Sequence, residues 1–161
     1  MVSQESFQSY KVWMVDQDKF TDAYNKSLDF LSYREHSELE LKNKLLKKSF
    51  EGSLVHEVID KLVAKNLVNN ERFADAYVSS RKRKGFGPKK IFFELQQRGI
   101  QEKISDKAIF NDSNDWQTLA QKVFSRKFKN GVSSDFKEKS KQQNFMIGRG
   151  FRFQEIESIF N

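Results

Sequence analysis

Apolar residues at helical spacing run through this sequence of 161 residues, and the pattern recurs about every 50 residues. The positions i, i+3, i+4, i+7 and i+8, which share one face of a helix, are apolar between residues 55 and 63 and again between residues 116 and 124. The middle helices place Leu45, Leu95 and Met146 in register. Because repeated helical units stack on their neighbours, the pattern predicts an all-α fold of three tandem three-helix repeats with an elongated or curved body.

The repeat also predicts the domain boundaries. Residues 1–21 do not join it, and the stretch 10–15 could form a short strand, a helical turn or a disordered arm. Since each repeat of such an array contacts mainly its neighbour, a chain cut near Asp112 is expected to keep the first two repeats folded. The three predicted repeats take up residues 22–68, 69–111 and 112–161.

Several residues mark predicted helix ends. Ser37 and Glu40 have the spacing of a capping box, and Asn66 suits a left-handed helix stop. Pro88 stands at a predicted first helical position, where its missing N–H has no partner to lose. The acidic stretch that ends at Asp115 resembles the start of a calcium loop but lacks its glycine and its final glutamate, so it predicts a helix cap.

Composition limits the chemistry of the chain. It has no cysteine, so it can form neither disulfides nor thiolate metal sites, and no stretch approaches the roughly 20 apolar residues that span a bilayer. The start lacks a signal-peptide pattern, so we expect a cytoplasmic protein with no membrane association. His36 and His56, the only histidines, lie on different predicted helices without metal-ligand spacing and are expected at the surface or its boundary. The sequence therefore predicts a binding protein, not an enzyme, with no metal and no cofactor.

Positive charge is concentrated after residue 70. Residues 1–70 carry 10 basic and 11 acidic side chains, whereas residues 71–161 carry 19 and 11. Six of the ten residues from 81 to 90 are positive. A field of one sign attracts polyanions and makes their binding sensitive to salt, although a lysine-rich composition can also serve solubility alone.

The basic stretch has the layout of an anion clamp. Arg81 and Lys84 end one predicted helix, and Lys89 and Lys90 fall in the first turn of the next, so solvent-facing cations are expected beside free backbone N–H groups. The alternative is a solvated corner whose cations favour the preceding helix dipole. Phe86 could stack on a base or cover the helix ends. The predicted contact residues of this stretch are Arg81, Lys82, Arg83, Lys84, Phe86, Lys89 and Lys90. A secondary basic surface carries Arg126, Lys127, Lys129 and Arg149. The strip that its first three residues form with Lys137, Lys139 and Lys141 is expected to be ordinary solvated surface.

Specific motifs resemble those of the RecX family, bacterial regulators of the RecA recombinase. They are Arg34-Glu35-His36-Ser37, Asn70-Glu71-Arg72-Phe73-Ala74-Asp75-Ala76-Tyr77, Lys84-Gly85-Phe86-Gly87-Pro88, Arg98-Gly99-Ile100 and Arg149-Gly150-Phe151. The resemblance implies three-helix repeats and no catalytic residues. It also implies filament or DNA contact for the positions that match the basic central motif of the family, Arg81, Lys84, Lys89, Lys90 and Arg98. The sequence departs from the family pattern at Gln142, where the first two repeats are apolar.

The resemblance also implies a function. It implies binding to the RecA filament on single-stranded DNA, with inhibition of the ATPase, strand-exchange and co-protease activities of RecA, and so control of recombination, DNA repair and the SOS response. A monomer is expected, with only weak contact to single-stranded DNA by itself. The alternative is a free-standing helix-turn-helix DNA-binding protein that reads bases with the helix after Pro88. That helix shows Phe92, Phe93, Gln96 and Gln97 where a reading face needs a tighter polar set.

Overall fold

The computed structural model describes residues 4–161, in which all regular secondary structure is helical. The pattern-based prediction of an all-α fold is therefore confirmed. The nine helices of this part of the chain are α1 (Gln4–Tyr33), α2 (Glu38–Lys47), α3 (Gly52–Ala64), α4 (Asn70–Arg83), α5 (Pro88–Gln97), α6 (Glu102–Ile109), α7 (Trp116–Lys127), α8 (Phe136–Arg149) and α9 (Phe153–Phe160).

The chain divides into two compact units, one ending at Asn70 and the other beginning at Glu71. In the first unit, α2 and α3 pack against the C-terminal half of α1. The core is formed by the predicted helical stripes, with Leu41, Leu45 and Leu62 fully buried. Burial of a leucine side chain contributes about 1.5–3 kcal/mol, so these three residues together stabilise the unit by several kcal/mol.

Residues 10–15, for which the sequence allowed a strand, a helical turn or a disordered arm, are helical. They belong to α1, which begins at Gln4 and continues without a break across the predicted boundary at residue 21. Met1, Val2 and Ser3 lie outside the described residues. The N-terminal half of α1 exposes Phe7, Tyr10 and Trp13. Between residues 4 and 161, no helix, including this one of 30 residues, is long and apolar enough to cross a membrane.

The second unit contains two joined cores. One lies among α4, α5 and α6 and the other among α7, α8 and α9. Trp116, the first residue of α7, is buried in the α4–α6 core, where its indole N–H donates to the Ile109 carbonyl at 2.9 Å. Leu119 packs against both cores. Residues beyond Asp112 therefore complete the α4–α6 core, so that core is not independent of the chain that follows it.

The predicted helix ends are confirmed by local geometry. The Ser37 hydroxyl accepts a hydrogen bond from the Glu40 N–H at 3.1 Å, and the Asp115 carboxylate accepts one from the Thr118 N–H at 2.9 Å. The hydroxyl and N–H of Thr118 hold the pKa of Asp115 below its ordinary value. Asn66 adopts a φ of 55°, the left-handed stop that its position predicted.

Two glycines set the distance between α5 and α8. A Cβ on Gly87 would lie 2.5 Å from backbone atoms of Gly150 and Phe151, and one on Gly150 would lie 2.3 Å from the Cβ of Lys90. Gly150 also adopts a φ of 89° as the left-handed cap of α8. No other residue type allows the two backbones to approach this closely.

Gln142 replaces an apolar core residue with a hydrogen-bonded one. Its side chain is buried, donates to the Gly131 carbonyl at 2.9 Å and accepts from the Ser133 N–H at 3.1 Å. A buried amide that finds both kinds of partner avoids the desolvation cost of an unpaired group. The departure from the repeat pattern therefore fixes the loop between α7 and α8.

His36 is buried, which corrects the expectation that it lies at the surface or its boundary. Its side chain is 1% exposed; its Nδ1 lies 3.0 Å from the Arg34 carbonyl and its Nε2 lies 2.8 Å from Lys44 Nζ. Because the carbonyl only accepts and the ammonium only donates, the ring is the neutral tautomer that is protonated at Nδ1. Burial lowers its pKa below 6.5.

Candidate nucleic-acid interface

The first turn of α5 does not present the free N–H groups that the sequence predicted for an anion clamp. The Gly87 N–H donates to the Arg149 carbonyl at 2.8 Å, and the Lys89 N–H donates to the Gly150 carbonyl at 2.9 Å. The carbonyl groups at the C-terminal end of α8 thus accept hydrogen bonds from N–H groups at the start of α5. The prediction of backbone anion binding at this helix end is wrong for these two groups.

Arg81 is also not the solvent-facing cation that the sequence predicted. Its side chain is 18% exposed and forms a bidentate ion pair with Glu94 on α5, whose side chain is 14% exposed. The Tyr77 hydroxyl donates to the same carboxylate at 3.0 Å, and burial together with this bond raises the pKa of Tyr77. Arg81 therefore holds α4 and α5 together.

Two more predicted contact residues are engaged within the unit. Arg98 donates to the Glu94 carbonyl at 2.8 Å, and its guanidinium lies 4.6 Å from the centre of the Tyr77 ring. Lys82 donates to the Asn114 side chain and lies 5.5 Å from the centre of the Trp116 ring. Both side chains are half-buried, so their main contacts are structural.

Phe86 packs on the α4–α6 core with three cations around its ring. The guanidinium of Arg81 lies 3.9 Å from the ring centre, that of Arg149 lies 5.0 Å away and the Lys90 ammonium lies 4.9 Å away. Cations over an aromatic ring are each worth roughly 0.5–2 kcal/mol. The sequence allowed Phe86 either to stack on a base or to cover the helix ends, and the structure supports the second alternative.

Five basic residues line a cleft that joins the two basic stretches. Its volume is about 260 Å³, and it lies among the C-terminal turns of α4, α7 and α8. Gly85, Val123 and Phe145 form its apolar part. The five charged residues that line it are all basic: Arg83, Lys84, Arg126, Lys127 and Arg149. We call this site the basic cleft.

The basic cleft is held by contacts between distant parts of the sequence. Arg149 Nη1 donates to the Lys84 carbonyl at 3.1 Å, and its guanidinium lies 5.3 Å from the centre of the Phe145 ring. Gly85, at a φ of 77°, lets the turn after α4 come within contact of Val123 on α7. The side chains of Arg83, Lys84, Arg126 and Lys127 are exposed.

The electrostatics of the basic cleft come from side chains alone. Three helices end there, and the partial charge at a helix C-terminus is negative, which repels anions. Five cations oppose that effect, and no carboxylate is among the lining residues. A concave surface of one charge sign concentrates the field, so the site suits a polyanion held through its phosphates.

The other predicted basic residues lie apart from this arrangement. Lys89 is exposed on α5, and Lys129 is exposed after α7; neither lines the basic cleft. Within residues 4–161 no group of three or more His, Asp or Glu side chains could hold a metal ion. Sequence reasoning treated Arg126 and Lys127 as ordinary surface and so missed that they line one cleft with Lys84 and Arg149. The paired glycines at residues 87 and 150 were the signal that could have revealed it.

The structure is that of a protein of helical repeats with a concave cationic surface. Comparison with known protein families shows to which family this protein belongs. Residues 23–62 match the first three-helix domain of RecX, residues 69–109 the second and residues 114–160 the third. The chain therefore belongs to the RecX family, and the prediction of three tandem three-helix repeats is confirmed.

Named relatives agree over most of the chain. Regulatory protein RecX of Serratia proteamaculans is 32% identical over 161 residues, covering 86% of this chain and 96% of the relative. Regulatory protein RecX of Haemophilus influenzae is 34% identical over 139 residues, covering 85% and 91%. RecX proteins are regulators rather than enzymes, which confirms the non-enzymatic prediction.

Solved structures share the fold. The crystal structure of RecX from Lactobacillus salivarius matches with a TM-score of 0.70 at 26% identity, covering 89% of this chain and 95% of the other. A second crystal structure, of a regulatory protein RecX, matches with a TM-score of 0.80 at 24% identity, covering 99% and 78%, which bears on the fold alone.

Proposed function

We propose that this protein is a cytoplasmic regulator that binds the RecA filament on single-stranded DNA and inhibits the ATPase, strand-exchange and co-protease activities of RecA. In this role it restrains recombination, DNA repair and the SOS response. The basic cleft contacts the polyanionic filament, and the observation that carries the proposal is its lining of five basic and no acidic residues.

The five basic residues of the basic cleft form two groups, which differ in their contacts within the fold. Arg83, Lys84, Arg126 and Lys127 are exposed and meet the phosphates or carboxylates of the filament directly. Arg149, fixed by the Lys84 carbonyl, shapes the basic cleft and adds charge. Because backbone phosphates carry no sequence information, such a site binds DNA without base preference.

The alternative, a helix-turn-helix protein that reads bases with α5, is disfavoured by the same geometry. A reading helix places its N-terminal residues against base edges in the major groove. The first turn of α5 instead receives the carbonyls of Arg149 and Gly150, and Gly87 and Pro88 are buried. A filament-binding protein does not need this end of the helix to be accessible.

The test compares two triple variants of equal charge. Lys84→Ala/Arg126→Ala/Lys127→Ala removes three cations of the basic cleft, and Lys137→Ala/Lys139→Ala/Lys141→Ala removes three near the start of α8. Binding to labelled oligothymidine is measured by anisotropy over a range of salt, with and without RecA, alongside RecA ATPase activity.

The basic-cleft variant is expected to inhibit RecA less and to bind more weakly. Each lost phosphate contact lowers the slope of log affinity against log salt by about 0.7, so three lost contacts lower it by about 2. The α8 variant should lose much less. Equal losses in both variants would mean that only the overall field matters, and an unchanged cleft variant would contradict the proposed site.

A further inference from the structure

A second groove is lined by a different set of α8 residues from those of the basic cleft. Phe145 and Arg149 face the cleft, whereas Ile147 and Gly148 line this groove together with Phe93 on α5. Its volume is about 460 Å³, within the range of ligand pockets. Phe93 is 61% exposed and Ile147 is 60% exposed, so two large apolar side chains stand open to water on its two walls.

Gly148 leaves the groove open without being required by the fold. It is the penultimate residue of α8, and glycine costs up to roughly 0.5–1 kcal/mol relative to alanine in a helix. A Cβ at this position would meet nothing within 4 Å, and the backbone is helical. Neither packing nor backbone geometry requires a glycine here, and its lack of a side chain leaves the groove open beside Phe93 and Ile147.

The free charge of the groove is positive. Lys89 and Lys90 lie along its α5 wall, and Glu94 is the only acidic residue among those that line it. The Glu94 carboxylate already accepts hydrogen bonds from Arg81 and Tyr77, so it does not neutralise the lysines. The groove thus combines an open apolar floor with unopposed positive charge.

We infer that this groove docks a short segment of a partner protein in which a bulky apolar side chain is flanked by carboxylates. The apolar side chain fills the space over Gly148 between Phe93 and Ile147, and the carboxylates pair with Lys89 and Lys90. The apolar contact distinguishes such a segment from a nucleic-acid backbone, which offers phosphates without a side chain to bury. The inference stands on residues outside the basic cleft and does not depend on it.

The experiment uses the full-length protein and a defined probe, a fluorescein-labelled peptide of sequence EDFLDE. Titration by anisotropy is expected to show saturable binding, with amide shifts in two-dimensional NMR centred on Phe93 and Gly148. The peptide EDGSDE, which keeps the charge, and KRFLKR, which keeps the apolar pair, are both expected to bind at least about tenfold more weakly.

Variants localise the site. Gly148→Leu fills the groove and is expected to weaken EDFLDE binding about tenfold or more while the melting temperature stays at or above that of the wild type. Phe93→Ser tests the opposite wall. Phe153→Ser is the matched control, since Phe153 is 77% exposed and lies outside the groove, and it should bind as the wild type does.

Several outcomes would overturn the inference. Absence of EDFLDE binding at millimolar concentration, or equal binding by Gly148→Leu and Phe93→Ser, would remove the docking site. A dimer lost in Gly148→Leu would assign the groove to a second copy of the chain. Loss of oligothymidine binding in that variant would assign the groove to nucleic acid. An unchanged basic-cleft triple variant would contradict the basic cleft as a site without affecting this inference.

Discussion

Replacing Gly87 by alanine should separate α8 from α5, and the structure allows the effect to be estimated. Gly87 has a φ of −89°, so alanine meets no backbone strain there and the perturbation is purely steric. The new Cβ would lie 2.5 Å from the carbonyl carbon and oxygen of Gly150 and from the Phe151 nitrogen. These are backbone atoms and cannot rotate away as a side chain would.

The magnitude follows from the displacement that relieves the overlap. An ordinary Cβ contact begins near 3.4 Å, so the two backbones must move apart by about 1 Å. Overpacking of this kind costs about 1–3 kcal/mol. The hydrogen bonds from the N–H groups of Gly87 and Lys89, now 2.8 and 2.9 Å long, would stretch beyond useful range, at about 0.5–1.5 kcal/mol each. The expected loss is about 2–6 kcal/mol.

The assay is thermal and urea unfolding, with Gly148→Ala as the control. Trp116 is 4% exposed whereas Trp13 is 57% exposed, so Trp116 fluorescence in a Trp13→Phe background reports on the second unit. At about 2–4 °C per kcal/mol, Gly87→Ala should melt roughly 10 °C lower. Gly148→Ala, close to Gly150 in the last turn of α8 but in open space, should gain up to roughly 0.5–1 kcal/mol. A Gly87→Ala midpoint within about 2 °C of the wild type would refute the close crossing.

Three further predictions concern single contacts. Arg81→Ala should cost about 2–4 kcal/mol in urea unfolding because it strands the half-buried Glu94 carboxylate, whereas exposed Lys84→Ala should stay within about 0.5 kcal/mol. Truncation after residue 112 removes Trp116 from the α4–α6 core, so hydrogen exchange there should accelerate while α2 and α3 stay protected. Since burial lowers the pKa of His36, the unfolded chain binds a proton more readily. The free energy of unfolding should therefore fall as the pH drops below 6.5, and less so in His36→Gln; an equal fall in both would contradict the assignment.

The helices could be predicted because their signals are local. Ser37, Asn66 and Asp115 act on backbone groups within three or four residues, so the sequence alone carries the information. The repeat spacing likewise placed Leu45, Leu95 and Met146 in register, and all three are buried. Gln142 departed from that spacing, and its role became clear only from the loop that bends back to it.

The candidate site could be predicted only in part, because tertiary contacts decide which cations remain available. Arg81 lies one helix before Glu94 in the sequence, and nothing in the spacing revealed that the two side chains pair. Lys84 and Arg149 are 65 residues apart yet share a hydrogen bond. Charge runs in a sequence therefore overstate the free positive surface when a carboxylate on a neighbouring helix is buried beside them.

The close approach of α5 and α8 at Gly87 and Gly150 also shapes the basic cleft, so Gly87→Ala is expected to change binding as well as stability. The Arg149 carbonyl that accepts from Gly87 and the Arg149 side chain that donates to Lys84 belong to one residue, so a shift of α8 moves both. Widening by about 1 Å at the crossing would draw Arg149 away from Lys84 and weaken the field of the basic cleft, which falls with the distance between its charges. Gly87→Ala should thus bind oligothymidine more weakly at temperatures where it is still folded, although it removes no charge. Normal affinity and a normal salt slope in a folded Gly87→Ala protein would show that the cations bind independently of one another, and that the cleft geometry contributes nothing beyond their number.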